Sequence, residues 1–276
     1  STQAKTLFPY TTLFRSLLIY ISPTHSFDNP RADLASNDVP SLVKVQIENS
    51  LELGWKKEDI LLVTNFAYKY GDIEALVLDD VDFFDRKPQA SKINAIIKMF
   101  EHDLIEADEL YWFHDFDAFQ LEKISEAEIN LKDDQIGLTD YGGGKYFGGI
   151  DRWSTGVIFF RAGAKDIFEK LKEIYYQKKI DEEEAMHLLI NKEPDIDKRV
   201  KKVNNSYNFI GYKLESVYKK SIRPLKVVHF HPLTGKRRLG GIGEESALRF
   251  FKGENPLQTP LLTDRLIRIL KYHRIG

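Results

Sequence analysis

Short apolar runs recur along this chain, and stretches of helical spacing separate them. The runs are residues 17–22 (LLIYIS), 60–64 (ILLVT), 75–78 (ALVL), 110–113 (LYWF), 136–139 (IGLT), 157–160 (VIFF) and 227–230 (VVHF). Runs this short, apolar throughout rather than alternating, suit strands buried on both faces. Between them, residues 39–53, 91–105, 164–177 and 181–190 carry apolar side chains at helical spacing. In 91–105 these are Ile93, Ile96, Ile97, Phe100 and Leu104. Strand alternating with helix predicts an α/β fold with a mainly parallel mixed sheet flanked by helices. Neither an internal repeat nor a Pro, Gly and Ser-rich linker interrupts the pattern, so a single domain is expected.

Composition narrows the class further. Hydrophobic residues make up 42% and aromatics 12% of 276 residues, enough for a substantial core. There is no cysteine. That excludes disulfides and thiolate metal sites and suits a reducing, cytoplasmic setting. No apolar run approaches the ~20 residues of a membrane span. Net charge is −2, but residues 198–276 hold 18 basic and 5 acidic side chains, leaving 22 basic and 37 acidic in residues 1–197. Either the acidic body can hold a metal and the basic tail meet an anion, or the two are solvated surfaces that attract each other. Residues 261–272 read as a basic amphipathic helix, with Arg265, Arg268 and Lys271 beside Leu and Ile. Such a helix is expected to pack on its own domain, with peripheral contact with the cytoplasmic face of a membrane as the alternative.

The N-terminus departs from the rest. Thr6–Ser16 reads TLFPYTTLFRS, the in-frame translation of a common short-read sequencing adapter. Residues 1–16 are therefore expected to be an assembly artefact and not part of the fold.

The chemistry-bearing residues sit where the strands end. Tyr111–Phe119 reads YWFHDFDAF, an apolar run that drives into Asp115 and Asp117. In open α/β sheets, ligands bind at the carboxyl ends of strands. On an extended stretch i and i+2 share a side, so the two carboxylates are expected to converge. They repel unless a cation or proton lies between them, and a hard divalent ion bridging to phosphate oxygens is the natural partner. Asp-x-Asp occurs twice more, at Asp80/Asp82 and Asp195/Asp197. The first also follows an apolar run and competes. The second lies in a polar stretch beside Pro194 and reads as loop.

What separates Asp115/Asp117 is its surroundings. Ahead of it lies a helix bearing Lys92. After it come Trp153–Phe160 (WSTGVIFF), the acidic helix start Asp181–Glu184 (DEEE), and Val228–His231 (VHFH) with Gly235-Lys236. In that order and spacing the chain, over about residues 17–240, resembles the GT-A fold glycosyltransferases, the nucleotide-diphospho-sugar transferases. Residues 241–276 are then a basic helical extension. Ser154-Thr155 stands where the family has Asn-Ser, and Glu where Gln or Asp is usual.

The resemblance implies a metal-dependent transfer of a sugar from a nucleotide-diphosphate donor, with a UDP-sugar expected, to a glycan or lipid-linked acceptor. Mn²⁺ or Mg²⁺ would be held by Asp115 and Asp117, completed by His229 or His231, since manganese takes a nitrogen ligand more readily than magnesium. Donor contacts would come from Thr24, Asn65, Lys92, Asp115, Ser154, Thr155, Gly156 and Lys236. Asp181, Glu183 and Glu184 are the candidates for catalysis in either a retaining or an inverting course. Gly142–Gly149 reads as a loop, either a lid over the donor or a passive connection. Two other classes compete. A haloacid-dehalogenase-like phosphatase also uses a strand-end Asp-x-Asp, but usually with the motif opening the chain and Thr or Val where Phe119 stands. A nucleotide-sugar-binding relative without catalysis is the second. No interleaving of aromatic and basic residues suggests a nucleic-acid platform.

Overall fold

A computed structural model describes residues 14–27, 39–140, 153–210 and 220–229. In chain order the elements are β1 (Phe14–Tyr20), α1 (Val39–Glu52), β2 (Ile60–Thr64), β3 (Lys69–Tyr70), β4 (Ile73–Glu74), β5 (Leu76–Val77), α2 (Ser91–Glu101), β6 (Leu110–His114) and β7 (Ala118–Gln120). They continue with α3 (Glu126–Ile129), β8 (Ile136–Asp140), β9 (Trp153–Phe160), α4 (Lys165–Lys178), α5 (Glu182–Lys192), α6 (Pro194–Asp197), β10 (Val200–Lys202), β11 (Phe209–Ile210) and β12 (Val227–His229).

Seven strands form the central sheet in the order β10-β8-β9-β6-β1-β2-β5. All pairings are parallel except those of β9, which runs antiparallel to both β6 and β8. This is the expected mixed α/β sheet. A small sheet, β11-β12-β7, and the β3–β4 pair complete the strands among the described residues.

The strands are apolar on both faces because both are covered. Leu17, Ile19, Tyr111, Phe113, Ile158 and Phe160 face a core built with α2, α4 and α5. Their alternates pack the other way. Leu18 and Leu62 meet α1 through Val43 and Ile47. Trp112, Val157 and Phe159 meet Val227 of the small sheet and Ile129 of α3. Each such side chain removed from water contributes about 1.5–3 kcal/mol.

Several boundaries move from their predicted places. β1 starts at Phe14, so the last three residues of the segment expected to lie outside the fold are in the central sheet. Phe14 packs on Trp55, and the Arg15 guanidinium meets Glu109 at 2.6 Å and Asp59 at 3.3 Å. Helix α2 ends at Glu101 rather than Ile105, because Asp103 turns to φ +54°. Leu104 and Ile105 still pack on the core, which is why the apolar period ran past the true end. The Ser-Thr-Gly segment lies inside β9 rather than ahead of a strand beginning at Val157. Asp195 and Asp197 fall in the short helix α6, not a loop. The loop at Gly142–Gly149, the extension 241–276 with its predicted helix, His231 and Lys236 lie outside the described residues.

Candidate active site

The site grows from the reversal of β9. Six strands point one way and end at one edge, and β9 begins there. His114, the last residue of β6, pairs with Val157, and Asp140 at the end of β8 pairs with Trp153. Ser154, Thr155 and Gly156 are thereby brought beside the residues that follow β6. The register on the β8 side slips, from Leu138↔Ile158 to Thr139↔Ser154, so the segment around Gly156 stands out from that neighbour.

Asp115 and Asp117 do not continue β6 as an extended pair. They sit in a tight turn, in which the Ala118 N–H donates to the Asp115 carbonyl at 3.0 Å, while the Asp115 N–H donates to the Gly156 carbonyl at 2.8 Å. His114 braces the turn. It is buried against Trp112, with ring centroids 4.0 Å apart, and burial pushes its pKa down to about 3. The neutral ring sits between the Ala118 carbonyl at Nδ1 and the Ser16 hydroxyl at Nε2. Phe116, between the two aspartates, turns to the α1 side and meets Tyr20 at 6.4 Å.

The small sheet supplies the third group. β12 pairs antiparallel to β7, with His229 opposite Ala118. That puts His229 Nε2 3.1 Å from Asp117 Oδ1. One ligand atom each from Asp115, Asp117 and His229 lies within 4.8 Å of the others, and this is the one such cluster among the described residues. Gly156 makes the approach possible. A Cβ at that position would stand 2.3 Å from His229 Cε1 and 3.0 Å from Asp115 Oδ2.

These residues fit a divalent metal. The donor set is two carboxylates and one imidazole, which suits Mn²⁺ and admits Mg²⁺. Oδ1 of Asn208 accepts at Nδ1 of His229, 3.1 Å away, which leaves Nε2 as the atom turned toward the carboxylates. Burial opposes a charge on His229, but the charge and hydrogen bond of Asp117, with the charges of Asp115 and Glu183, together outweigh it and raise the pKa, so a positive charge is favoured at this spot whether proton or metal supplies it.

The other predicted donor and catalytic residues fall in three groups. Lys92, at the start of α2, is buried rather than offered to solvent. Its ammonium lies 3.1 Å from Asp115 and 3.1 Å from Glu182 and above the Phe113 ring. Burial opposes the charge, but the surrounding carboxylates win and raise the pKa. At the start of α5, Asp181 is the N-cap, its Oδ1 accepting from the Glu184 N–H at 2.8 Å. Glu183 accepts from the Thr155 N–H at 3.1 Å, and its charge is felt at both Lys92 and His229. Of the three acidic candidates, Glu183 is thus the one held against the β9 segment. Thr24 and Asn65 follow β1 and β2. Asn65 clasps Ser22 through both its amide groups, and Thr24 Oγ1 lies 2.9 Å from the Ser22 hydroxyl.

Three participants escaped the sequence reading. Glu182 is buried and touches Lys92 and the Thr155 hydroxyl. Its place one residue after the N-cap was visible; its burial was not. His114 was in plain view within YWFHDFDAF but carries no signal of its own. Asn208 sits in a polar stretch with nothing to mark it. The rival Asp80/Asp82 is spent on surface pairing, Asp80 with Lys98 and His102 and Asp82 with Lys172.

No protein-family model and no curated protein sequence matches the chain. Solved structures do. The galactosyltransferase LgtC, in complex with donor and acceptor sugar analogs, superposes with a TM-score of 0.51 at 14% identity, over 89% of this chain and 96% of that one. The glycosyltransferase GlyE of Streptococcus pneumoniae TIGR4 gives 0.50 at 10% identity, over 92% of this chain and 64% of that one. The fold is therefore the GT-A type, as the sequence resemblance implied.

Proposed function

We propose that this chain is a metal-dependent glycosyltransferase, moving a sugar from a nucleotide-diphosphate donor to a glycan or related acceptor. The observation that carries the reading is the cluster of Asp115, Asp117 and His229 at the carboxyl edge of the sheet, closed over a glycine that leaves room for nothing larger. Such a cluster on a GT-A fold is best explained by the diphosphate of a sugar nucleotide.

Asp115, Asp117 and His229 would hold Mn²⁺ or Mg²⁺. The bound metal supplies positive charge to the diphosphate as the anomeric bond breaks. The protein's own part is to keep that charge where the leaving group forms. Lys92 holds the Asp115 carboxylate in place. His114 stays neutral and fixes the turn. Glu183, at the margin of the site, is the carboxylate we assign to stabilising charge at the sugar or acting on the acceptor hydroxyl. Lys236 and His231, with Thr24 and Asn65, are the proposed further donor contacts. A UDP-sugar is the proposed donor and a glycan or lipid-linked saccharide the acceptor, in the cytoplasm and near its membrane face.

The test is hydrolysis of a panel of sugar nucleotides, UDP-sugars first, with and without Mn²⁺. Sugar release that needs the metal and falls at least a hundredfold in Asp117→Ala is expected. Full-rate, metal-dependent hydrolysis by Asp117→Ala would overturn the site. Phosphate release from simple phosphomonoesters without a sugar nucleotide would favour the phosphatase instead. Donor binding with no turnover across the panel would favour a binding protein.

A further inference from the structure

Asn208 has no place among the predicted site residues, yet it makes more directed contacts in the site than many of them. It is 1% exposed and directly precedes β11, the neighbour of β12 in the small sheet. Its Oδ1 lies 3.1 Å from Nδ1 of His229. Its Nδ2 donates to two buried hydroxyls, Thr139 Oγ1 at 2.9 Å and Ser154 Oγ at 3.0 Å. Those hydroxyls stand on β8 and β9 at the paired position where the register slips. The side chain thus ties the small sheet to the central one at a single buried point.

The contact has a direction. With both amide hydrogens given to the hydroxyls, the oxygen is what faces the imidazole. An oxygen at Nδ1 requires a hydrogen on Nδ1. A neutral imidazole carrying that hydrogen has its lone pair on Nε2, the nitrogen turned toward Asp117. A metal-ligating histidine needs such a partner, which sets both the tautomer and the ring plane.

We propose that Asn208 is a positioning residue for the metal centre, selecting the Nδ1–H tautomer of His229 and so presenting Nε2 to the metal. This rests on the metal-site reading above. It also assigns Thr139 and Ser154 a role through Asn208: they fix which end of the amide faces the ring. Ser154 was predicted as a donor contact. Here its hydroxyl is directed inward, to the amide.

Two replacements separate this role from simple packing. Asn208→Leu keeps the shape and removes the acceptor. Asn208→Asp keeps an oxygen facing Nδ1, and the two hydroxyls can rotate to donate to its other oxygen. Mn²⁺ affinity, measured by calorimetric titration of the full chain, needs no donor and no turnover. Thermal unfolding of each metal-free variant reports whether it folds. The expected result is a Kd weakened about 10–100-fold in Asn208→Leu and restored to within a few fold of wild type in Asn208→Asp. Nitrogen shifts of the His229 ring in the Mg²⁺-loaded protein should report Nδ1 protonated in wild type and Asn208→Asp. Equal Mn²⁺ affinity in wild type and Asn208→Leu would overturn the role of Asn208 alone. So would an Asn208→Asp variant that binds as weakly as Asn208→Leu. Failure of wild type itself to bind Mn²⁺ would overturn the metal reading and, with it, the assignment of Asn208.

Discussion

A methyl group decides much at position 156. Gly156→Ala would put a Cβ 2.3 Å from the edge of the His229 ring, well inside contact distance. The ring cannot retreat, because Asn208 and Asp117 hold its two nitrogens. The Gly156→Ala variant should fold and bind Mn²⁺ at least about tenfold more weakly, as calorimetric titration would read; unchanged affinity would mean that the strand yields instead. A second residue-scale prediction concerns pH. Burial lowers the His229 pKa, but Asp117, joined by Asp115 and Glu183, more than offsets it and raises the pKa above the ~6.5 of the unfolded chain. In metal-free protein the His229⁺–Asp117 pair therefore contributes stability fully below pH ~6.5, and that contribution is lost as pH climbs through the folded-state pKa. Urea unfolding should show the gap between wild type and His229→Gln narrowing as pH rises. Over the same window Mn²⁺ affinity should increase, because metal and proton compete for Nε2. Of these residues the sequence displayed some and hid others, for a physical reason. Asp115 and Asp117 were legible because a buried strand ran into them. His229 was visible from its order along the chain. Asn208 could not be read, since its partners Thr139, Ser154 and His229 stand 69, 54 and 21 residues away.

Helices α2 and α5 meet the site through one buried ion cluster. Lys92 from the start of α2 lies between Glu182 from the start of α5 and Asp115 from the turn after β6. Glu182 is 3% exposed and cannot relax into water. Removing the cation would strand a buried carboxylate, a change that costs about 3–5 kcal/mol. Lys92→Ala should therefore lower the urea midpoint by the equivalent of about 3 kcal/mol, the low end of that range because Asp115 is part-exposed; a loss under 1 kcal/mol would show that the two helices dock without the cluster. At this scale the sequence was legible where burial and length agreed. Residues 60–64 were predicted and found as a strand, an apolar segment bounded by charged and polar neighbours. The small sheet was largely illegible, because β7, β11 and β12 are two or three residues each. Strands so short carry no period of their own and exist through what they pair with.

Across the whole molecule, the alternation of strand and helix announced the sheet, and the doubly apolar strands announced cover on both faces. The reversed strand could not be read, since parallel and antiparallel central strands share the same apolar run. A site drawn from the ends of β6, β9, α2, α5 and β12 also has a thermodynamic signature. A ligand bound by the folded chain alone stabilises all of it, by about 2.7 kcal/mol at a hundred times its Kd. Mn²⁺ should raise the melting temperature of wild type in a concentration-dependent way and leave Asp117→Ala unmoved. An equal rise in both would place the ion elsewhere on the acidic surface.

The antiparallel run of β9 carries a genetic consequence. Gly156, Thr155 and Ser154 reach their partners only because β9 is counted back from Phe160, where its pairing with β6 is fixed. One codon gained or lost between positions 157 and 160 would keep the strand apolar and paired, yet bring a different residue under His229. Such a frame-preserving lesion should leave the protein abundant and inert. In this stretch the site depends more on the number of residues than on which apolar residues they are.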